Sequence, residues 1–330
     1  MPESLALLIG LVALAVAFGV ANGFNDAANA IATVIGTRVL SPRAALVMAS
    51  FFSFVGAATG TAVAITIGEG IIAPQALTMG TVLAGTVPAV IWTFVATHYG
   101  MPVSTTHGLV GGLVGAGMAT GGGEAIVWNV LARVISAVGI APLLGLVGGF
   151  SMMVAVSWLF RKSSPDRARG IFGNLQILSA AFLAYSHGKN NGQMPMGLMA
   201  MALMAYTGSC ECVIPFWTVL ASGASISFGI AAGGWRVIRT LGLRMTTLRP
   251  VHGFAAETSA ATIVEVASQL GIPVSTTHCI STAIMGVGAT RRLSAVRWGI
   301  AGNILVAWLL TFPVCGALGW LLASLLKVIS

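Results

Sequence analysis

Seven stretches of this chain, residues 5–22, 44–68, 78–97, 139–160, 171–186, 213–233 and 298–326, are apolar with almost no charge inside them. A helix needs roughly 20 such residues to cross a bilayer. Lipid offers no water to backbone N–H and C=O groups, so a spanning segment must satisfy them internally. Composition agrees: 57% of the residues are hydrophobic and 7% are charged, against roughly 25% charged in a soluble domain. These features predict an all-α polytopic membrane protein, with no soluble domain long enough to stand apart. The first run is flanked by Glu3 and no basic residue, and no small-residue cleavage site follows it. It reads as a permanent helix rather than a signal peptide. The net charge of +8 comes from Lys and Arg in short loops, where they set orientation; it implies no nucleic-acid partner. Cys210, Cys212, Cys279 and Cys315 fit no zinc spacing and read as apolar filler or loop thiols.

The hexapeptide Pro-Val-Ser-Thr-Thr-His occurs twice, at residues 102–107 and 273–278, each time after a Gly-X dipeptide. With Pro102 set against Pro273, Trp128 falls against Trp298 and Pro142 against Pro313 within one residue. Asn22-Gly23-Phe24-Asn25-Asp26 then matches His187-Gly188-Lys189-Asn190-Asn191. The chain divides into a first repeat, 1–160, a linker, 161–170, and a second repeat, 171–330. Loop charge orients them. Loop 38–43 is basic, while its counterpart 206–212 carries only Glu211. Loops 69–75 and 121–124 are acidic, while their counterparts hold Arg236, Arg239, Arg244 and Arg249, and Arg291, Arg292 and Arg297. Basic loops sit on the cytoplasmic side, so equivalent loops lie on opposite sides. That is the inverted-topology repeat of secondary transporters. The basic linker is cytoplasmic and both termini are extracytoplasmic on this reading.

Four segments break the apolar rule, and polar groups inside a membrane are expensive enough to mark function. In the two hexapeptides, Gly100 and Gly271 end one helix, and Pro102 and Pro273 precede the next. Ser104, Thr105 and Thr106, with Ser275, Thr276 and Thr277, supply hydroxyls and free N–H groups at helix starts. A helix N-terminus carries about half a positive charge. Two of them meeting near the midplane would form a neutral cage for an oxyanion. His107 and His278 either bond the anion, titrate, or anchor the half-helix through a carbonyl. The other two segments are 23–29 and 188–193. Asp26, Asn25 and Asn29 offer hard oxygens suited to a small cation or a proton; the alternative is a polar clamp between helices.

Gly-Phe-Asn-Asp-Ala-Ala-Asn at 23–29, Ser-His-Gly-X-Asn at 186–190, the duplicated hexapeptide and Gly-Phe-Ala-Ala-Glu at 253–257 resemble the inorganic phosphate transporter (PiT) family. The resemblance spans residues 5 to about 322. It implies movement of inorganic phosphate coupled to Na⁺ or H⁺ in an inverted repeat, often as a homodimer. By motif, Asn25, Asp26, Asn190 and the six Ser and Thr residues would surround phosphate. Asp26, Asn29 and Glu257 would take part in cation binding, as Na⁺ ligands or proton carriers. One departure stands out. The second family motif usually reads Asn-Asp, whereas this chain has Asn190-Asn191 with Lys189 just before. Lys189 either replaces a bound cation as a tethered ammonium or reaches to the aqueous edge. Glu265 either carries the ion or satisfies the N–H groups of the nearby break.

The expectation is therefore a non-enzymatic secondary transporter of a prokaryotic inner membrane. In each half, a first helix broken at its Asn motif and a half-helix starting at Ser-Thr-Thr would meet at a central site. No Walker-type sequence couples it to ATP. The rival in the same class is a symporter of sulfate or another oxyanion. A channel would require a continuous ring of ligands. A metalloenzyme would require His and carboxylates at ligand spacing, which the chain lacks.

Overall fold

Ser4 starts the first helix, its Oγ accepting the Leu7 backbone N–H at 3.2 Å. The computed structural model describes residues 4–329. Glu3 and the side chains of Glu69 and Arg244, which entered the readings above, lie outside what is described. Helix α1 (Leu5–Gly36) rises about 48 Å at 1.5 Å per residue, more than the roughly 30 Å of a bilayer core. α2 (Pro42–Ala57) is joined through Gly60 to α3 (Ala62–Gly70) at a bend of 69°. α4 (Met79–Tyr99) stops at Gly100, whose φ of 71° is left-handed and accessible to glycine without strain. α5 (Thr105–Gly121) is the first half-helix, and α6 (Trp128–Leu159) closes the first half.

The second half repeats this order. α7 (Pro165–Asn191) runs through Gly192 into α8 (Gln193–Thr207), and the pair answers to α1. α9 (Phe216–Ala232) and α10 (Trp235–Arg239) bend by 63° at Gly233-Gly234, as α2 and α3 do at Gly60. A π-turn over Thr240–Arg244 follows. α11 (Pro250–Gln269) ends before Gly271, φ 67°. α12 (Thr276–Ala289) and α13 (Trp298–Ile329) complete the chain. No β-strand occurs among the described residues. α1, α4, α6 and α13 are long and apolar enough to cross a membrane, and the two bent pairs raise this to six. The chain is an all-α, multi-pass membrane protein.

One expectation is corrected here. The first helix of the first half is not broken at its Asn motif, whereas in the second half α7 ends at Asn191 and α8 starts at Gln193, inside the motif. α1 passes through Asn25, Asp26 and Asn29 without interruption, and Gly192 keeps helical φ and ψ of −65° and −20°. The Asn side chains donate to neighbouring helices instead of their own backbone, so nothing competes with the helical ladder. The sharp bends lie one helix later, at Gly60 and Gly233-Gly234.

The helices pack in exchanged pairs. α5, from the first half, lies along α13, and α12, from the second, lies along α6. α1 packs on α9, and α7 on α2. Small residues bring these backbones together, as expected where lipid removes the hydrophobic drive between helices. A Cβ on Gly115 would strike the Gly316 carbonyl, and one on Gly149 the Ala283 carbonyl.

Candidate functional site

The two hexapeptides build matching helix starts. Ser104 Oγ accepts the His107 N–H and Ser275 Oγ accepts the His278 N–H, each at 3.2 Å. Each Asn motif clamps the turn of its own half. Asn25 Nδ2 donates to Thr97 Oγ1 at 2.7 Å and to the Met101 carbonyl at 3.3 Å. Asn190 Nδ2 donates to Ser268 Oγ at 2.9 Å and to the Ile272 carbonyl at 3.2 Å. The halves then grip each other. Thr106 Oγ1 donates to the Val274 carbonyl at 3.2 Å, and Thr277 Oγ1 to the Val103 carbonyl at 3.0 Å. The starts of α5 and α12 are thereby held against each other, sealed from solvent with the residues around them.

Asp26 sits at this junction. Its Oδ2 accepts Asn191 Nδ2 at 2.6 Å and Thr276 Oγ1 at 3.4 Å, and its Oδ1 accepts Thr277 Oγ1 at 3.1 Å. His187 Nε2 lies 3.5 Å from Oδ2. Asn29 Nδ2 donates to the same two threonines, at 3.2 and 2.9 Å. Asn22, which the motif reading passed over as a site residue, belongs here too: its Oδ1 accepts Thr105 Oγ1 at 3.1 Å and Asn191 Nδ2 at 3.2 Å. Its signal was the polar residue one helical turn before Asp26. Asn22 Nδ2 and the side-chain oxygens of Asn25, Asn29 and Asn191 are buried without a partner. Such groups cost about 1–3 kcal/mol each when unsatisfied. The junction thus gathers chemistry of two kinds: hydroxyls and helix N–H groups able to donate to an anion, and Asp26 with amide oxygens able to accept a cation. Among the described residues no three His, Cys, Asp or Glu side chains come together, so a cation here would be held by Asp26, amides and hydroxyls.

Glu257 is elsewhere. It is fully buried in α11, accepting Gln176 Nε2 at 3.0 Å and the Ser179 hydroxyl. Gln176 in turn accepts Thr37 Oγ1 at 2.9 Å. Among the described residues, no hydrogen bond or ion pair joins Glu257 to Asp26 or Asn29. Glu257 thus takes its hydrogen bonds within a second polar cluster, with Gln176 and Ser179. Glu257 meets α7 at Gln176 and Ser179, and Asp26 meets α7 at Asn191 and His187 as well as α12 at Thr276 and Thr277. Gln176 and Ser179, three apart in the apolar run of α7, were the unused clue to the second centre.

Lys189 does not face the junction as a substitute cation. Its ammonium pairs with Glu265 and lies 5.8 Å from the Tyr185 ring centre. Glu265 also accepts Gln269 Nε2 at 2.9 Å, so it serves this pair rather than the chain break. The matching positions of the first half hold Phe24 and Phe94, with ring centres 6.4 Å apart. The hexapeptide histidines meet edge to face, 4.6 Å between ring centres, and His278 stacks on Trp308 at 3.7 Å. Trp308 Nε1 donates to the Pro102 carbonyl at 2.9 Å. Neither ring nitrogen of His278 is bonded, so it does not anchor its half-helix through a carbonyl.

Comparison with known proteins adds a family. The profile described as "Phosphate transporter family" matches residues 22–169 and, a second time, 161–319. A "Probable low-affinity inorganic phosphate transporter" of Rhizobium meliloti (strain 1021) is 45% identical over 310 residues, spanning 93% of this chain and 92% of the relative. One of the same name in Bacillus subtilis (strain 168) is 37% identical over 330 residues, spanning 98% of each. A solved structure titled "The sodium-dependent phosphate transporter" superposes with a TM-score of 0.91 at 29% identity, covering 99% of this chain and 100% of that one.

Proposed function

The chain belongs to the phosphate transporter family, and on that basis we propose that it is a secondary transporter that carries inorganic phosphate through the cell membrane together with Na⁺. It is a transport protein, not an enzyme. The observation that carries the reading is the reciprocal docking of the two Ser-Thr-Thr helix starts beside Asp26. Helix N–H groups and threonine hydroxyls donate to the phosphate oxygens. Hydrogen phosphate also donates one hydrogen bond, and Asp26 is the acceptor available for it. Fully ionised sulfate has no proton to offer and gains nothing from that carboxylate.

A cation on Asp26, Asn29 and neighbouring amide oxygens offsets the anion's charge; Glu257 is a second station for a coupling ion. The "sodium-dependent" title of the structural relative favours Na⁺ over H⁺. The exchanged packing and the loop charges favour residues 1–160 and 171–330 as inverted repeats around this centre. Rocking of one against the other, with bending at Gly60 and Gly233-Gly234, alternates access.

The test is uptake of radiolabelled phosphate into proteoliposomes under a Na⁺ gradient and, separately, a pH gradient, with unlabelled sulfate as competitor. Na⁺-driven uptake indifferent to sulfate is expected. Uptake driven only by the pH gradient refutes the choice of ion. Absence of uptake, or equal competition by sulfate, refutes the choice of substrate.

A further inference from the structure

The Gly100 turn borders a cavity of about 370 Å³ lined by His98, Tyr99, Gly100, Arg236, Arg239 and Thr240. Its walls are fixed. The Arg236 guanidinium donates to the His98 carbonyl, and Thr240 Oγ1 donates to the Gly100 carbonyl at 2.9 Å. These bonds tie α10 to the end of α4. Arg236 and Arg239 are three residues apart on α10, so they share one side of the helix. The carboxylates Asp26 and Glu265 are engaged elsewhere, with His187 and Lys189. Among the described residues neither Arg236 nor Arg239 has a carboxylate partner, and no carboxylate lines the cavity.

Two guanidiniums without counter-charge at one polar cavity make an oxyanion site, because their forked N–H groups match phosphate oxygens in pairs. The corresponding turn of the second half lacks this. α3 holds no basic residue, and the cavity beside Gly271 is lined mainly by apolar side chains with Arg133 at its edge. Position adds to the argument. Gly100 leads into Met101, whose carbonyl Asn25 holds at 3.3 Å, so this cavity adjoins the turn that borders the central junction.

We propose that His98, Arg236 and Arg239 form a second oxyanion site, a vestibule at one mouth of the transport path that binds a phosphate group. The occupant is inorganic phosphate entering or leaving, or the phosphate of an anionic lipid headgroup. This deepens the transport reading above and rests on it. The loop charges place this mouth on the cytoplasmic side.

Two measurements on the full chain test it. The first is modification of Arg236 and Arg239 by phenylglyoxal in detergent, followed by peptide mass spectrometry. Inorganic phosphate should slow modification of both arginines several-fold without slowing that of Arg161; equal rates with and without phosphate overturn binding of free phosphate. The second is phosphate exchange by oriented proteoliposomes, with phosphate varied on each side in turn, in phosphatidylcholine alone and with phosphatidylglycerol. For Arg236→Gln/Arg239→Gln, KM on the arginine side should rise about three- to tenfold with kcat unchanged, and the shift should shrink at high salt. The Lys/Lys variant should restore most of it. A KM shift in both lipids identifies inorganic phosphate as the occupant. A difference from the unaltered chain only with phosphatidylglycerol identifies the headgroup. Unaltered kinetics in both lipids, together with no protection, overturns the vestibule. A chain that exchanges no phosphate refutes the transport reading, and the protection measurement still decides whether the vestibule binds phosphate.

Discussion

Asn191→Asp asks most directly how charge is balanced at the junction. Asn191 Nδ2 lies 2.6 Å from Asp26 Oδ2. The substitution preserves size and replaces that donor by a carboxylate oxygen. Two unit charges at this separation repel by about 6 kcal/mol even at an effective dielectric of 20. At 1.36 kcal/mol per decade, that is more than four decades in an equilibrium constant. The pair therefore does not stay doubly ionised and empty; one more proton or monovalent cation must enter with the second carboxylate. The assay is phosphate uptake in proteoliposomes against Na⁺ concentration at fixed pH, then against pH at fixed Na⁺, with charge movement recorded alongside. The variant should need one more cation per phosphate, visible as a steeper Na⁺ dependence or as a new dependence on pH. An Asn191→Asp protein with unaltered Na⁺ order, pH profile and charge per phosphate would show that Asp26 does not set the ion count, and the reasoning fails.

Three further outcomes are expected. Glu257→Gln keeps an acceptor for Gln176 and should fold with stability changed by about 1 kcal/mol or less, yet lose at least about tenfold in cation-driven uptake; full uptake would make Glu257 purely structural. Lys189→Met leaves Glu265 half-buried and without its cation, at a cost of about 1–3 kcal/mol in detergent thermal stability. Lys189→Phe/Glu265→Phe, which copies the Phe24–Phe94 contact, should recover most of that loss; a double variant less stable than the single would contradict the equivalence of the two sites. Gly115→Val drives a side chain into the Gly316 carbonyl and should cost about 1–3 kcal/mol, read as a lower melting midpoint, whereas Gly123→Val, in open space, should cost little.

The hexapeptide disclosed the half-helices because its determinants are local. Gly100 supplies the left-handed turn, Pro102 and Ser104 start the next helix, and an identical copy repeats them. Family motifs likewise pointed to Asp26 and Asn29, which the structure brings to Thr276 and Thr277. Partnerships between distant segments were not legible. Glu257 meets Gln176 and Ser179 across about eighty residues of sequence, and no local pattern says that α11 turns this face to α7. Lys189 looked like a cation near the anion because it adjoins Asn190. In a helix, neighbours in sequence point about 100° apart, and that rotation carries it to Glu265. The continuity of α1 was hidden for a related reason: an Asn-rich segment reads as a helix breaker until its amides are seen bonding to other helices.

The exchange of half-helices between repeats sets an order of events during biosynthesis. α5 leaves the ribosome with a polar start and a glycine-rich face, and the helix that covers that face, α13, is the last to be made. At about 5–20 residues per second, roughly 10–40 s separate the two. For that interval the nascent chain holds Ser104, Thr105 and Thr106 in or near lipid without Val274 to bond and without Trp308 to fix Pro102. The first half cannot mature alone, and a ribosome that stops before residue 298 leaves an open, sticky seam for membrane quality control to find.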